Sequence, residues 1–83
     1  MNYATILKTI TKELVEDKKN LEVRQMPSLD DNTIVLYIYA TKKDIAKLIG
    51  RRGVMANSIR QVMSVTGRLT KKRFDIKFEV FEA

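Results

Sequence analysis

Apolar side chains recur at Tyr3, Ile6, Leu7, Ile10 and Leu14, the i, i+3, i+4, i+7, i+11 spacing that lines one side of a 3.6-residue helix. This predicts an amphipathic helix from Tyr3 to about Glu16, ended by the polar break Asp17 to Asn20. Leu21 to Met26 alternates Leu21, Val23 and Gln25 against Glu22, Arg24 and Met26, the pattern of a short half-exposed strand that Pro27 terminates. Ser28 to Asn32 is turn chemistry. Thr33 to Ala40 is rich in β-branched and aromatic residues and apolar at both parities, as a central strand is.

Thr41 followed three residues later by Asp44 has the form of a capping box, with Asp in the usual Glu position, and starts a short helix running to about Ile49. Ile45, Leu48 and Ile49 share one face of it, and Gly50 stops it. A second helical pattern runs from Gly53 to about Thr66, with Met55, Ile59, Val62 and Met63 on one face and Gly67 placed to act as C-cap. Arg68 to Arg73 then leads into Phe74 to Val80, where Phe74, Ile76, Phe78 and Val80 alternate with Asp75, Lys77 and Glu79 as a third strand. The order helix, strand, strand, helix, helix, strand predicts an α+β domain with its helices packed on one face of a three-stranded sheet. No repeat or low-complexity tract divides residues 1–83, and the connections are loops, not linkers.

Composition narrows the chemistry. A chain of 83 residues has room for one small core and buries only about 60% of its unfolded surface, so self-association is an available source of stability. The absence of Cys and His excludes disulfides, thiolate metal sites, cysteine nucleophiles and imidazole bases. Asp44, Asp75 and Glu79 are scattered, read as surface carboxylates, and have no nucleophile or nucleotide signature beside them, so no enzyme activity and no cofactor are expected. The four Met residues read as gap-filling core. The longest apolar run, Ile34 to Ala40, is far short of the ~20 residues that span a bilayer. With no signal-peptide layout at the N-terminus, no membrane association and a cytoplasmic location are expected.

Charge is distributed unevenly. Residues 1–41 carry 5 basic and 6 acidic side chains, residues 42–73 carry 10 and 1, and residues 74–83 carry 1 and 3, so the net +6 is concentrated in one block of +9. A local field of this kind draws a polyanion, nucleic acid before membrane. In its middle stand Ile49, Gly50, Arg51, Arg52 and Gly53, between two helices. Glycines three apart permit a sharp turn and a close backbone approach. The helix that follows offers free N–H groups and a positive dipole end, and the two arginines add forked donors.

An Ile-Gly-x-x-Gly turn between two helices resembles the signature loop of KH domains, which clamps about four single-stranded nucleotides. The flanking order gives the β-α-α-β core over residues 33–81, and the preceding helix and strand, residues 1–27, match the type II arrangement. The whole chain resembles the small bacterial single-KH proteins of the KhpA type, with "IAKLIGRRG" (Ile45 to Gly53) the closest stretch. Two departures are the second arginine in the loop, where relatives often have Gln or similar, and the Ile, Met and Val of the helix from Val54 to Thr66, where relatives favour Ala and Leu.

The resemblance implies a shallow groove between the loop with its flanking helices and the last strand with the loop before it. Gly50 to Gly53 would hold phosphates; Ile45, Ile49 and one of Ile76 or Phe78 would contact bases; Arg60, Lys71, Lys72 and Arg73 would add attraction. The apolar four read first as core; Arg60 is also readable as a solvated helix face, and Lys71, Lys72 and Arg73 as a solvated loop. Tyr37 and Tyr39 read as sheet-face packing residues outside the groove. The resemblance further implies an RNA chaperone that pairs with a larger KH-containing partner of the KhpB type, linked to cell elongation and envelope homeostasis, and forms homodimers or heterodimers. The competing reading is an adaptor whose main task is dimerisation, with the loop region shared between protein and RNA.

Overall fold

The carboxylate of Asp44 sits at the junction of three elements and is only 1% exposed. The computed structural model, which describes residues 2–81, runs α1 (Tyr3–Lys12), β1 (Glu22–Met26), β2 (Thr33–Ala40), α2 (Lys42–Ile49), α3 (Val54–Thr70) and β3 (Arg73–Val80). The sheet order is β1-β2-β3, with β1 antiparallel and β3 parallel to β2. The α+β order expected from the sequence is therefore observed. Leu36, Ile38 and Ala40 of β2 and Ile76 of β3 turn one sheet face toward Leu7, Ile45, Leu48, Ile59 and Met63 of the helices, forming a single buried cluster. All three helices lie on that face.

Helix α1 stops at Lys12, a full turn before the expected Glu16. The Glu13 N–H turns back to the Thr11 carbonyl, and the following segment descends to bury Val15 before a 3₁₀ turn at Lys18–Asn20 capped by the Asp17 side chain. That descent is fixed by Asp44. Its two oxygens accept the backbone N–H groups of Glu16 and Asp17, each at 3.0 Å. The capping-box reading of residues 41–44 is thus half right: the Thr41 hydroxyl does cap α2 through the Asp44 N–H, at 3.2 Å. The Asp44 side chain, expected on the surface, is instead buried and points to the α1–β1 connection.

Two further expectations are corrected in α3. Gly67 is not its C-cap: the helix continues to Thr70 and closes on Lys71 in the left-handed region (φ 58°). Gly67 is buried inside the helix, where an added Cβ would collide with the Lys72 carbonyl and lie 3.1 Å from the Phe74 ring. The reversal that ends α3, in which the Lys72 N–H bonds the Gly67 carbonyl at 2.8 Å, leaves no room for a Cβ there. Val62, grouped with the core face, is outside it, and the buried stripe is Ala56, Ile59, Met63 and Gly67. At 100° per residue Val62 falls about 60° from Ile59, far enough to reach solvent. Strand β1 begins at Glu22, with Leu21 buried ahead of it, and β3 gains Arg73 at its start, while Val80 at its end is exposed.

The Glu16 N–H first, then the Asp17 N–H and the Thr41 hydroxyl, hold the Asp44 carboxyl below its ordinary value of 3.8 against the opposing effect of burial. A carboxylate whose folded value is depressed stabilises fully above its unfolded value, and that stabilisation is lost as pH falls through the folded value. Asp44→Asn replaces one of the two acceptors with a donor and should cost about 2 kcal/mol at neutral pH, roughly 10 °C in melting temperature. The deficit relative to the parent should shrink as pH falls below 4; thermal melts giving a deficit that is constant with pH would show that the charge is not the stabilising feature.

Candidate nucleic-acid interface

Helix α2 ends because Gly50 takes φ 75°, ψ 174°, a conformation open essentially only to glycine. Its N–H still bonds the Ala46 carbonyl at 2.9 Å, closing the helix, and the Gly53 N–H bonds back to the Gly50 carbonyl at 3.2 Å. Arg52 and Gly53 follow in the left-handed region, φ 56° and 76°, so the chain reverses within four residues and enters α3 at Val54. A Cβ on Gly50 would stand 2.8 Å from the Met55 Cβ and 2.9 Å from the Met55 N, whereas one on Gly53 meets nothing within 4 Å. The turn therefore packs against the first turn of α3 at Gly50 and faces solvent at Gly53.

The side chains of Arg51 and Arg52 are exposed, and no described ion pair engages them. Helix α3 starts with no side-chain cap and no acidic residue in its first turn, leaving its leading N–H groups without a side-chain acceptor. From Ile45 to Phe74 the chain contains no Asp or Glu. An open concavity of about 550 Å³ lies here, lined by Lys47, Gly50, Arg51, Arg52, Val54 and Met55. It combines cations, bare backbone and an apolar floor, the set that suits a phosphate with an adjoining base.

Lys47 and Met55 were not singled out from sequence. Lys47 belongs to the site because α2 turns it toward the loop, one helical turn before Gly50. Its ammonium also contacts Glu16, which Lys43 reaches at 3.2 Å, and these two lysines, Lys47 first, hold the Glu16 carboxyl below its ordinary value. A helical-wheel reading of α2 with the loop at its end would have found Lys47; its pairing with Glu16 depends on the α1–β1 connection and has no local signal.

The remaining expected residues divide by position. Ile49 is 37% exposed at the rim of the loop, while Ile45 and Ile76 are buried core residues. Phe78 is half-buried beneath the Arg60 guanidinium, which lies 5.5 Å from the ring centroid and donates to the Ile76 carbonyl at 3.2 Å. Arg60 is thus fastened across the gap between α3 and β3, about 10 Å along α3 from the loop. Lys71, Lys72 and Arg73 stand at the other end of α3, about 25 Å from the loop by the rise of 17 helical residues. There Lys72 donates to the Asp31 carbonyl at 2.7 Å, and the Arg73 N–H bonds the Asn32 carbonyl at 2.8 Å. Tyr37 and Tyr39 lie on the sheet face away from the helices, outside this groove, as expected. Among the described residues no group of three or more acidic, His or Cys side chains could hold a metal ion.

The sequence pattern of the family described as KhpA/KhpB, KH domain, matches residues 4–78. The RNA-binding protein KhpA of Aquifex aeolicus is 27% identical over 77 residues, which cover 93% of this chain and 92% of that protein. The RNA-binding protein KhpA of Caldanaerobacter subterraneus subsp. tengcongensis is 29% identical over 68 residues, covering 82% and 88%.

The asymmetry between the two loop glycines is directly testable. Gly50→Ala should destabilise the chain by roughly 2 kcal/mol, since left-handed strain and the Met55 collision act together. Gly53→Asn, at an open left-handed position that Asn tolerates, should stay within about 0.5 kcal/mol of the parent. Equal losses for the two in urea titrations would contradict the loop geometry.

Proposed function

Because the chain belongs to the KhpA/KhpB family of KH domains, we propose that it binds single-stranded RNA through the Gly50–Gly53 loop, as a binding module and not a catalyst. The observation that carries this reading is the juxtaposition of two unpaired arginines with an uncapped helix start in an acid-free stretch of chain. Backbone N–H groups and Arg51 and Arg52 hold phosphates; Lys47 supplies further charge; Ile49 and Met55 offer apolar contact to a base. A loop of this kind reads about four nucleotides, so affinity is modest and sequence preference weak. Arg60 guides the strand along the α3–β3 gap, and Lys71, Lys72 and Arg73 provide longer-range attraction from the far end. On this reading residues 1–83 act as one KH unit, of which residues 1, 82 and 83 lie outside the described residues. The family likeness extends the proposal to an RNA chaperone in the cytoplasm that acts with a larger KH-containing partner of the KhpB type in post-transcriptional regulation bearing on cell elongation and the envelope.

A specific observation also favours the adaptor reading. Val54, Val62, Val65 and Leu69 occupy the shoulder of α3 away from Arg60 and are between 51% and 84% exposed. An apolar strip of this length beside the loop suits a second KH copy or the larger partner, and it leaves the cationic side of α3 free for RNA.

The two readings separate by mutation. Arg51→Asp with Arg52→Asp should weaken binding of a short oligouridylate at least tenfold and lower the log-log salt slope by about 1.4, the loss of two single-strand phosphate contacts. Unchanged affinity and slope in anisotropy titrations would refute the clamp. Val62→Asp with Leu69→Asp should instead convert a micromolar dimer to monomer in sedimentation while each chain keeps its RNA affinity; an unaltered mass would remove the α3 strip as a contact surface.

A further inference from the structure

The sheet face turned away from the helices carries side chains that the RNA reading does not use. Tyr37 and Tyr39 of β2 stand on it half-exposed, with ring centroids 6.1 Å apart and planes 23° from parallel. The strand register sets charged residues on both sides of each ring. One row across the sheet reads Arg24, Tyr37, Lys77, and the next reads Glu22, Tyr39, Glu79. Within the edge strands, Arg24 pairs with Glu22 at 3.1 Å and stands over the Tyr39 ring at 5.9 Å, and Lys77 pairs with Asp75 at 3.4 Å.

We propose that this face is a self-association surface on which a second copy of the chain docks sheet to sheet. The argument is one of charge symmetry. A two-fold axis lying in the interface, perpendicular to the strands and midway between the two rows, exchanges them. Arg24 of one copy then faces Glu22 of the other, Lys77 faces Glu79, and Tyr37 faces Tyr39, each twice. The alternative two-fold, along the strands, sets Arg24 on Lys77 and Glu22 on Glu79, and is repelled. Packed sheets stand ~10 Å apart with their strands about 30° from aligned, a rotation small enough to keep the two central rows in register.

Exposed pairs contribute little affinity individually, so the charges select orientation while the four tyrosine rings, with Met26 at the margin, supply the burial. Nucleic acid fits this face poorly despite the stacked aromatics. Glu22, Asp75 and Glu79 balance Arg24, Arg73 and Lys77, leaving no net field for a polyanion, in contrast to the acid-free surface around Arg51 and Arg52. A three-stranded face is small for an interface, so the association is weak.

Charge exchange tests the proposal without relying on the fold tolerating a core change. Arg24→Glu and Glu22→Arg are compared with the parent by sedimentation across a concentration series, each also in the Val62→Asp, Leu69→Asp background so that the α3 strip does not contribute. Each single variant should associate at least about tenfold more weakly than the parent, because like charges then face each other. An equimolar mixture of the two should recover the parent's affinity, since in the mixed dimer positions 22 and 24 again face each other with opposite charge. A parent chain in that background that stays monomeric near 1 mM, single variants that match it, or a mixture that does not recover would each overturn the proposal. So would Tyr37→Ala with Tyr39→Ala if it weakened oligouridylate binding and left the association unchanged, which would assign the face to RNA.

Discussion

Parallel pairing of β2 and β3 is the constraint on which the architecture depends. Parallel neighbours cannot be joined by a hairpin; the chain has to leave the end of β2, travel back along one face of the sheet and re-enter beside the start of β2. Helices α2 and α3 perform this return, and because they cover the same sheet face they need one tight reversal between them. That reversal is the Gly50–Gly53 loop. The element that forms the candidate phosphate site is therefore the element the topology requires, and the absence of acidic side chains from Ile45 to Phe74 makes the return path beyond Asp44 cationic.

Asp44 performs a complementary task at the other end of α2. It joins the α1–β1 connection to the first turn of α2, so the N-terminal helix is held to the crossover by charge-assisted hydrogen bonds as well as by apolar packing. The same connection delivers Glu16 to Lys43 and Lys47, and Lys47 lines the concavity at the loop. The N-terminal segment thus bears on the electrostatics of the site although it contributes no residue to its lining.

What could be read from the sequence was what local periodicity encodes. The strands, both core helices, the loop and the cap at Thr41 have short-range signatures, and the residues of the loop were legible because two glycines and two arginines at that spacing are informative together. The errors have other causes. Leu14 continued the helical spacing of α1, yet the helix stops where a distant carboxylate captures its continuation. Gly67 had the form of a C-cap, but it lies one turn inside the helix, where the reversing chain at Lys72 and the Phe74 ring demand a missing Cβ. Val62 is apolar at a position that no core element covers. Each was decided by three-dimensional placement and not by periodicity: Asp44 lies 28 residues from Glu16, while the Lys72 carbonyl and the Phe74 ring come back onto Gly67 through the chain's own reversal.

The packing at Gly67 has a mechanical side. The Lys72 carbonyl of the turn and the Phe74 ring of β3 close on Gly67 and fix that end of α3, and the loop stands at the opposite end, about 20 Å away by helical rise. A helix anchored in this way is a lever with its fulcrum at residue 67: a tilt of roughly 5° there displaces the arginines by almost 2 Å, about the difference between a direct phosphate contact and a lost one. The placement of the loop is therefore governed less by the loop than by a hydrogen atom at the far end of the helix that carries it.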